Sequence, residues 1–476
     1  MDSEEKIALV AQVLALTALV EEQRLEIVRL KALVAELAEK LGQNSRNSHL
    51  PPSTDPQGGA RPVRGRKQKS GRKRGGQKGH RGWHRELLPA DQVDKAVDLF
   101  PGHCEGCARP LADVPDVCAS RSQVTEVPPI RPHTTEYRQH AVTCTCCGHT
   151  TRASGVGVIP ASPFGPRLMS LVAMFTGVYH LSRRRTAHAL HDILGVRISL
   201  GAVSAIEARV SLAIKTPVDQ AWVSAHDADV KHTDATTWMS GNVTRSLWTL
   251  ATAAVTVFKI AIDGSAKTIT PLFATLKGIL VSDRATVFSF WAMQNRQICW
   301  AHLLRKFVSF SERGDEGRAL GLELLSYTGL LFEYWHAYKD GRLDRVTFQA
   351  WMKPVRSQFE ACLRRAVASN ISPVAGSCAN ILNHQEALWT FVDRDGVEPT
   401  NNHAERELRQ FVMWRKRSFG TQSERGNLFA ERVMTVSHTA RKQHVNVLGF
   451  LTACCQALHS GSCPPLLIAA SASSLV

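Results

Sequence analysis

Two β-prone runs near the middle of this chain each carry or end at an acid, and they limit its fold more than any other feature. Lys231-His-Thr-Asp-Ala-Thr-Thr-Trp238 reads as a strand containing Asp234, and Gly278-Ile-Leu-Val-Ser282 is a short apolar run that stops at Asp283. An apolar strand that ends in an acid is how an open sheet presents a ligand group at its carboxyl edge. Between them, Arg245 to Val257 is rich in Thr, Val, Leu and Trp, and Phe258 to Ile262 continues that strand to Asp263-Gly264, a turn pair. Gln297-Ile-Cys-Trp300 reads as a further strand leading into the helix AHLLRKF, with Cys299 and His302 read as packing around a site rather than as ligands.

A third acid follows in PTNNHAERELRQFVMWRKRSFG, residues 399 to 420. Asn401 and Asn402 are good N-cap residues, and Glu405 stands three positions after Asn402, so this is a helix start. The capping reading makes Asn402 and Glu405 a capping box, and Glu405 and Arg409 an i,i+4 pair. The functional reading takes Glu405 as a metal ligand, with Asn401, Asn402 and Arg406 positioning it beside a basic cluster of Arg415, Lys416 and Arg417. Two strand-end aspartates and a helical glutamate make a three-carboxylate set that suits Mg²⁺ or Mn²⁺, hard ions able to drive phosphodiester chemistry. Each aspartate also has a local role open to it. Asp234 could bond Thr236 or Thr237, and Asp283 could cap a helix or pair with Arg284. Glu407 is a rival third ligand on a different side of the helix.

Upstream, the chain is built for association and for a polyanion. At 476 residues it is too long for one ordinary domain, and its net charge of +16 is concentrated in one strip. That strip, Arg61 to His84, includes Arg64, Arg66, Lys67, Lys69, Arg72, Lys73, Arg74, Lys78 and Arg81, interleaved with Gly and lacking any acid. Such a strip grips phosphates with little sequence readout, and Trp83 beside it could stack on a base. Ahead of it, Leu9, Val13, Leu16, Val20, Gln23, Ile27, Leu30, Val34, Leu37 and Leu41 step by four and three, a heptad seam that predicts a self-associating coiled coil. The start, Met-Asp-Ser-Glu-Glu-Lys, is acidic where a signal peptide is basic, and the most apolar window, Leu247 to Ile262, is too short to span a bilayer. A cytoplasmic protein, with no membrane partner, is expected.

Cys104, Cys107, Cys144 and Cys147 stand in two CxxC turns, a sulfur set that zinc prefers, and they predict a structural zinc ribbon with β-prone runs at Gln123–Val127 and Glu136–Thr143. Beyond it the pattern becomes helical. Met169 to Val178 suits one helix, Ser182 caps a second, Gly195 marks a turn, and a third begins near Ala202; a helix-turn-helix reader and a plain helical bridge both fit. Leu320–Leu331, Phe332–Tyr338 and Phe348–Ala368 are candidate helices of an insertion, further helices fall near Ala430–Arg441 and Val447–Leu458, and the tail after Ser460 looks weakly structured.

The heptad seam followed by LGQNSRNSHLPPS, the basic GGQKGHRGWH, the two CxxC turns, FGPRLMSLVAMFTGVYHLSRRR, HTDATTW, GILVSDRA, CWAHLLRKF and PTNNHAERELRQFVMWRKRSFGTQSERG occur in that order. Together they resemble the DDE transposases of insertion-sequence family sixty-six over nearly the whole chain. The resemblance implies an RNase H-like catalytic domain with a helical insertion before the last acid. It implies DNA strand cleavage and strand transfer at element ends, with Asp234, Asp283 and Glu405 as the triad. One departure stands out: the family's first acid commonly lies in Asp-Glu-Thr-Gly-Trp, and here Asp234-Ala235-Thr236-Thr237-Trp238 stands, with the acid kept.

The expected architecture is multidomain α+β. It runs as a coiled coil (1–42), a linker with the basic strip (43–100), a zinc ribbon (101–153), a helical segment (158–225), a catalytic core in two parts (226–310 and 399–459), a helical insertion (311–398) and a tail (460–476). The expected partners are double-stranded DNA, as element ends and target, a second copy of the chain through the coiled coil, and, by the resemblance, small accessory proteins. The resemblance also places the protein in a bacterium, on the nucleoid when bound. A repurposed, inactive DNA-binding protein and an RNase H-like nuclease are the alternatives.

Overall fold

The computed structural model describes residues 85–468 apart from 157, 158, 161, 274–276, 314 and 370, together with part of 16–48. The described residues between 16 and 30 are helical, and Leu16, Val20, Ile27 and Leu30 of the heptad seam are exposed. Gln23 of the seam is described and exposed as well; its other members, and the basic strip from Arg64 to Arg81 with Trp83, lie outside the described residues.

The chain divides into two compact units, residues 57–133 and the remainder. In the smaller unit the chain is largely irregular. The Gln123 side chain pairs with both backbone groups of Leu88, donating at 2.9 Å and accepting at 2.7 Å. Gln123–Val127 is therefore not a strand: a side chain supplies its cross-chain bonds, and Pro128-Pro129 ends the run. Cys104 opens a tight knuckle in which its carbonyl accepts from Ala108 N–H at 2.8 Å.

The larger unit starts with a hairpin, β1 (Ala141–Thr143) and β2 (Thr150–Arg152), so only the end of the expected 136–143 run is a strand. The hairpin turn is the Cys144 knuckle, closed by Gly148 N–H on Cys144 O at 2.9 Å. Helices follow: α1 (Pro166–Ala173), continued by a π-turn at Met174–Val178, α2 (Arg183–Leu194), α3 (Leu200–Ala213) and α4 (Lys215–Asp227). The expected Ser182 cap and Gly195 turn form, and Ser199 adds a further cap. Ser182 accepts from Arg185 N–H, Ser199 accepts from Ala202 N–H, and Gly195 adopts a left-handed φ of 67° to end α2.

A five-stranded sheet then forms in the order β5-β4-β3-β6-β7. The strands β3 (Val230–Ser240), β4 (Val243–Ala251) and β5 (Thr256–Ala261) make an antiparallel meander. The single strand expected from Arg245 to Ile262 is thus two. The turn at Thr252–Val255 holds no Gly, Pro or Asn; Thr252 makes it by accepting Val255 N–H on its hydroxyl at 3.0 Å. After α5 (Ala266–Phe273), β6 (Ile279–Ser282) and β7 (Arg296–Ile298) add in parallel on the other side of β3.

Next come α6 (Trp300–Ser311), α7 (Asp315–Lys339), α8 (Arg345–Ala368) and α9 (Val374–Leu382), with two single-turn helices at Gln385–Leu388 and Thr390–Asp393. The two helices expected over 320–338 are one, because nothing in that stretch interrupts the backbone ladder. These helices bury their own core around Trp300, Phe307, Phe359 and Trp389. The chain leaves and returns at one place: Trp300 N–H donates to Pro399 O at 2.9 Å. The last helices are α10 (Asn402–Ser418), α11 (Glu424–Lys442) and α12 (Val447–Ser460).

A second core holds α1–α4, one face of the sheet and α10–α12 together, from Val172 through Trp238 and Phe411 to Leu451. The helical segment before the sheet therefore shares the core of the sheet. Leu467 is also buried there, so the tail is anchored just past α12. Among the described residues no helix is long and apolar enough to cross a membrane.

Candidate active site

The register of the sheet decides which side chains meet. In β3 and β6, His232 pairs with Val281, the last parallel pair between them. In β6 and β7, Val281 pairs with Gln297. Two residues beyond that row stand Asp234, Asp283 and Cys299. Side chains alternate along a strand, and partners in parallel strands share a face, so these residues fall at one level and on one side of the sheet.

Glu405 reaches this row from the first turn of α10. Asn401 places it there by a route other than capping. Its side chain makes no cap bond; its Nδ2 donates 2.7 Å across to Thr233 O, beside Asp234, and its backbone N–H donates to Cys299 Sγ at 3.1 Å. The capping box expected from Asn402 and Glu405 is absent. Asn402 is the exposed first residue of α10, and Glu405 N–H donates to Asn401 O at 3.2 Å as an ordinary helical bond. Nor is Arg409 the ion-pair partner of Glu405. Arg305 Nη2 lies 3.7 Å from Glu405 Oε2 and His302 Nδ1 lies 3.8 Å from Oε1. Arg305 and His302 stand one turn apart on α6; His302 was expected only to pack around the site, and Arg305 had no expected role. Their signal was the His-x-x-Arg spacing in a helix that starts directly after a strand.

The three acids act on one another electrostatically. Burial raises the Asp234 carboxyl to about 7; the Ala235 N–H opposes this, while the charges of Asp283 and Glu405 add to it. The Glu405 carboxyl is also raised, chiefly by burial, against the pull of Arg305 and Arg409 and with repulsion from Asp283. Glu405 Oε1 is buried and makes no hydrogen bond. Asp283 is fixed at both ends: its carboxylate accepts Ala285 N–H at 3.0 Å, and its carbonyl accepts from the buried Arg296 at 3.1 Å. Arg284 turns away to Asn380 at 2.7 Å, so the Asp283–Arg284 pair is not formed. Asp263 is the turn residue its sequence suggested, accepting from Ser265 N–H at 2.9 Å.

Other expected residues are placed differently. Arg415 donates to Thr236 Oγ1 at 3.3 Å and to the carbonyl and hydroxyl of Thr237, so it braces β3 instead of reaching outward. Lys416 and Arg417 are exposed. Arg406 is exposed too, and its charge acts on His232 and Lys442. Glu407 faces a cage of its own: His438 Nδ1, His403 Nε2 at 3.5 Å and Lys442 Nζ at 3.2 Å. Cys104 and Cys107 lie in the smaller unit, Cys144 and Cys147 in the larger. In each knuckle, backbone N–H groups two and three residues on point at the first sulfur and lower its pKa.

Asp234, Asp283 and Glu405 are part-buried, and carboxylate oxygens of this kind are the ligand type that hard divalent cations take. A family model described as Transposase IS66 family matches residues 161–428, a stretch that includes all three acids. A second, described as a family of unknown function (DUF6444), matches residues 3–86. No curated protein matches the chain.

Proposed function

Because residues 161–428 place this chain in the IS66 transposase family, we propose that it is a DDE transposase that cuts DNA at the ends of an insertion sequence and joins those ends to a target. The observation that supports the proposal is the sheet register, which puts Asp234 and Asp283 at one level, with the charges of Asp283 and Glu405 acting on Asp234. The sheet supports an RNase H-like reading of the core: three antiparallel strands, then two parallel ones, with the first strand central and carrying the first acid.

Asp234, Asp283 and Glu405 would hold Mg²⁺ or Mn²⁺, which when bound supplies the positive charge that activates an attacking hydroxyl and stabilises the leaving oxygen. The chain's own groups prepare that site. Arg305 and His302 aim Glu405. Asn401 ties the start of α10 to β3. Arg296 and the Ala285 N–H fix Asp283, and Arg415 holds the end of β3 against α10. Lys416 and Arg417, exposed about three turns beyond Glu405 on the same helix, would meet phosphates, as would the basic strip. Structural Zn²⁺ on the cysteine knuckles and pairing of protomers through the heptad helix belong to the same reading.

The test is full-length protein with Mg²⁺ and duplexes carrying the element's ends. Cleaved and joined products are expected, with Asp283→Ala reducing both about 10³-fold or more while DNA binding persists. Cutting without joining would instead make it a nuclease, and binding without cutting would make it a DNA-binding derivative.

A further inference from the structure

We propose that Cys299, His302 and Glu405 form a second metal site, one that takes Zn²⁺ and shares Glu405 with the oxygen-only set. The geometry is independent of the transposase reading; only the functional consequence rests on it.

One ligand atom from each of the three residues lies within 4.8 Å of the others. The 3.8 Å between His302 Nδ1 and Glu405 Oε1 is too long for a hydrogen bond. It is close to the ~3.4 Å expected between two atoms that each sit about 2.1 Å from one tetrahedral ion. Glu405 Oε1, the atom facing the histidine, is buried without a hydrogen bond.

The backbone donors around this cysteine repeat those of the knuckles, although burial pushes the Cys299 thiol up to about 11 while the knuckle sulfurs are lowered. In the Cys104 turn the N–H groups of Gly106 and Cys107 point at the sulfur, and in the Cys144 turn those of Cys146 and Cys147 do. In Cys299-Trp-Ala-His302 the N–H groups of Ala301 and His302 occupy the same two positions, and Asn401 adds a third from across the site. Donors of this kind offset the charge of a bound thiolate. The Cys-x-x-His spacing then brings an imidazole to the same ion, and the register puts the sulfur level with Asp234 and Asp283.

Sulfur, nitrogen and oxygen ligands together select Zn²⁺ over Mg²⁺, which is held by oxygen. Three protein ligands leave a fourth position for water. The Cys299 proton passes to solvent as the ion binds. With Zn²⁺ seated, Glu405 is withdrawn from the oxygen set, so zinc would hold the protein in an inactive form until it is removed.

The experiment counts zinc. Full-length protein is dialysed to equilibrium against Zn²⁺ and the bound metal is measured by elemental analysis. Cys299→Ala and His302→Ala should each hold one ion fewer per chain than wild type. Cys107→Ser should change the count separately, so that its loss adds to theirs. Co²⁺ in place of Zn²⁺ should show a thiolate charge-transfer band that weakens in Cys299→Ala. His302 is less deeply buried than Cys299, so His302→Ala decides the matter if Cys299→Ala does not fold. An unchanged zinc count in His302→Ala overturns the site. The count involves no DNA, so a zinc-free wild type that fails to cut with Mg²⁺ would defeat the transposase reading and leave this one standing.

Discussion

Two glutamates on α10, one half-turn apart, have opposite surroundings. Glu407 is saturated: His403, His438 and Lys442 surround it, and these partners hold its carboxyl well below the usual carboxylate range despite its burial. Glu405 has ion-pair distances of 3.7 and 3.8 Å, an unbonded oxygen and a raised carboxyl. The helix thus carries one acid with three close partners and one with more distant partners and an unbonded oxygen. Both are part-buried acids of one helix, and the missing partner is what the proposed metal-binding role of Glu405 would leave.

The largest expected effect separates their functions. Glu405→Gln should reduce DNA cleavage and strand transfer about 10³-fold, with circular dichroism and melting temperature retained. Glu407→Gln should keep cleavage within a few-fold at 25 °C. A Glu405→Gln protein that cuts normally, or a Glu407→Gln protein that is folded and dead, would reverse the comparison.

The next effect is on stability. Removing the Glu407 carboxylate strands His438 and Lys442 in a largely buried cage, and urea unfolding should show a loss of about 3 kcal/mol. Its folded pKa is depressed, so the stability it contributes is complete above its unfolded value near 4.5 and is lost as pH falls further. Acid should therefore erode wild type more than Glu407→Gln. Equal erosion would mean the cage does not bind the charge.

Asp234 has the opposite sign. Its carboxyl titrates near 7 in the fold and near 3.8 when unfolded. The metal-free fold holds this proton across that window, so stability falls as pH rises from about 4 to about 7 and stays low above it. Asp234→Asn should raise the melting temperature of metal-free protein by a few degrees at pH 8 and not at pH 3.5. Saturating Mg²⁺ should raise wild type and leave the variant unmoved. A variant that melts lower at pH 8 would show that the carboxylate is not destabilising.

Much of this candidate site was legible because the acids proposed for it sit at sequence-readable places. Asp283 ends an apolar run and Asp234 lies in a β-branched one, so strand position followed from side-chain type. The start of α10 was also read correctly, but its mechanism was not. Asn401 looks like a cap, and a cap bond is local; its actual partner, Thr233, is 168 residues away, and only the sheet brings them together. Arg415 misled for the same reason. A basic cluster reads as a phosphate surface, yet tertiary packing turned its first member onto Thr237. The turn at Thr252 left no trace because a threonine hydroxyl replaced glycine. His302 and Cys299 were visible, but their meeting with Glu405 depends on a return of the chain after about a hundred residues.

The smallest effect tests the far end of the same helix. If Glu405 is the unsatisfied acid of α10, Lys416 and Arg417 are its outward-facing charges, exposed where Arg415 is not. Each phosphate contact contributes a salt slope of roughly 0.9 in log–log units on duplex DNA. The double variant Lys416→Ala, Arg417→Ala should therefore bind end-containing duplex a few-fold more weakly at moderate salt, with a slope lower by up to about 2 and no change in melting temperature. Arg415→Ala should do the reverse, lowering the melting temperature through loss of its bonds to β3 and leaving the salt slope as in wild type. If Arg415→Ala changes the slope as much as the double variant does, the basic cluster acts on DNA as one patch, and its first member leaves β3 when DNA is bound.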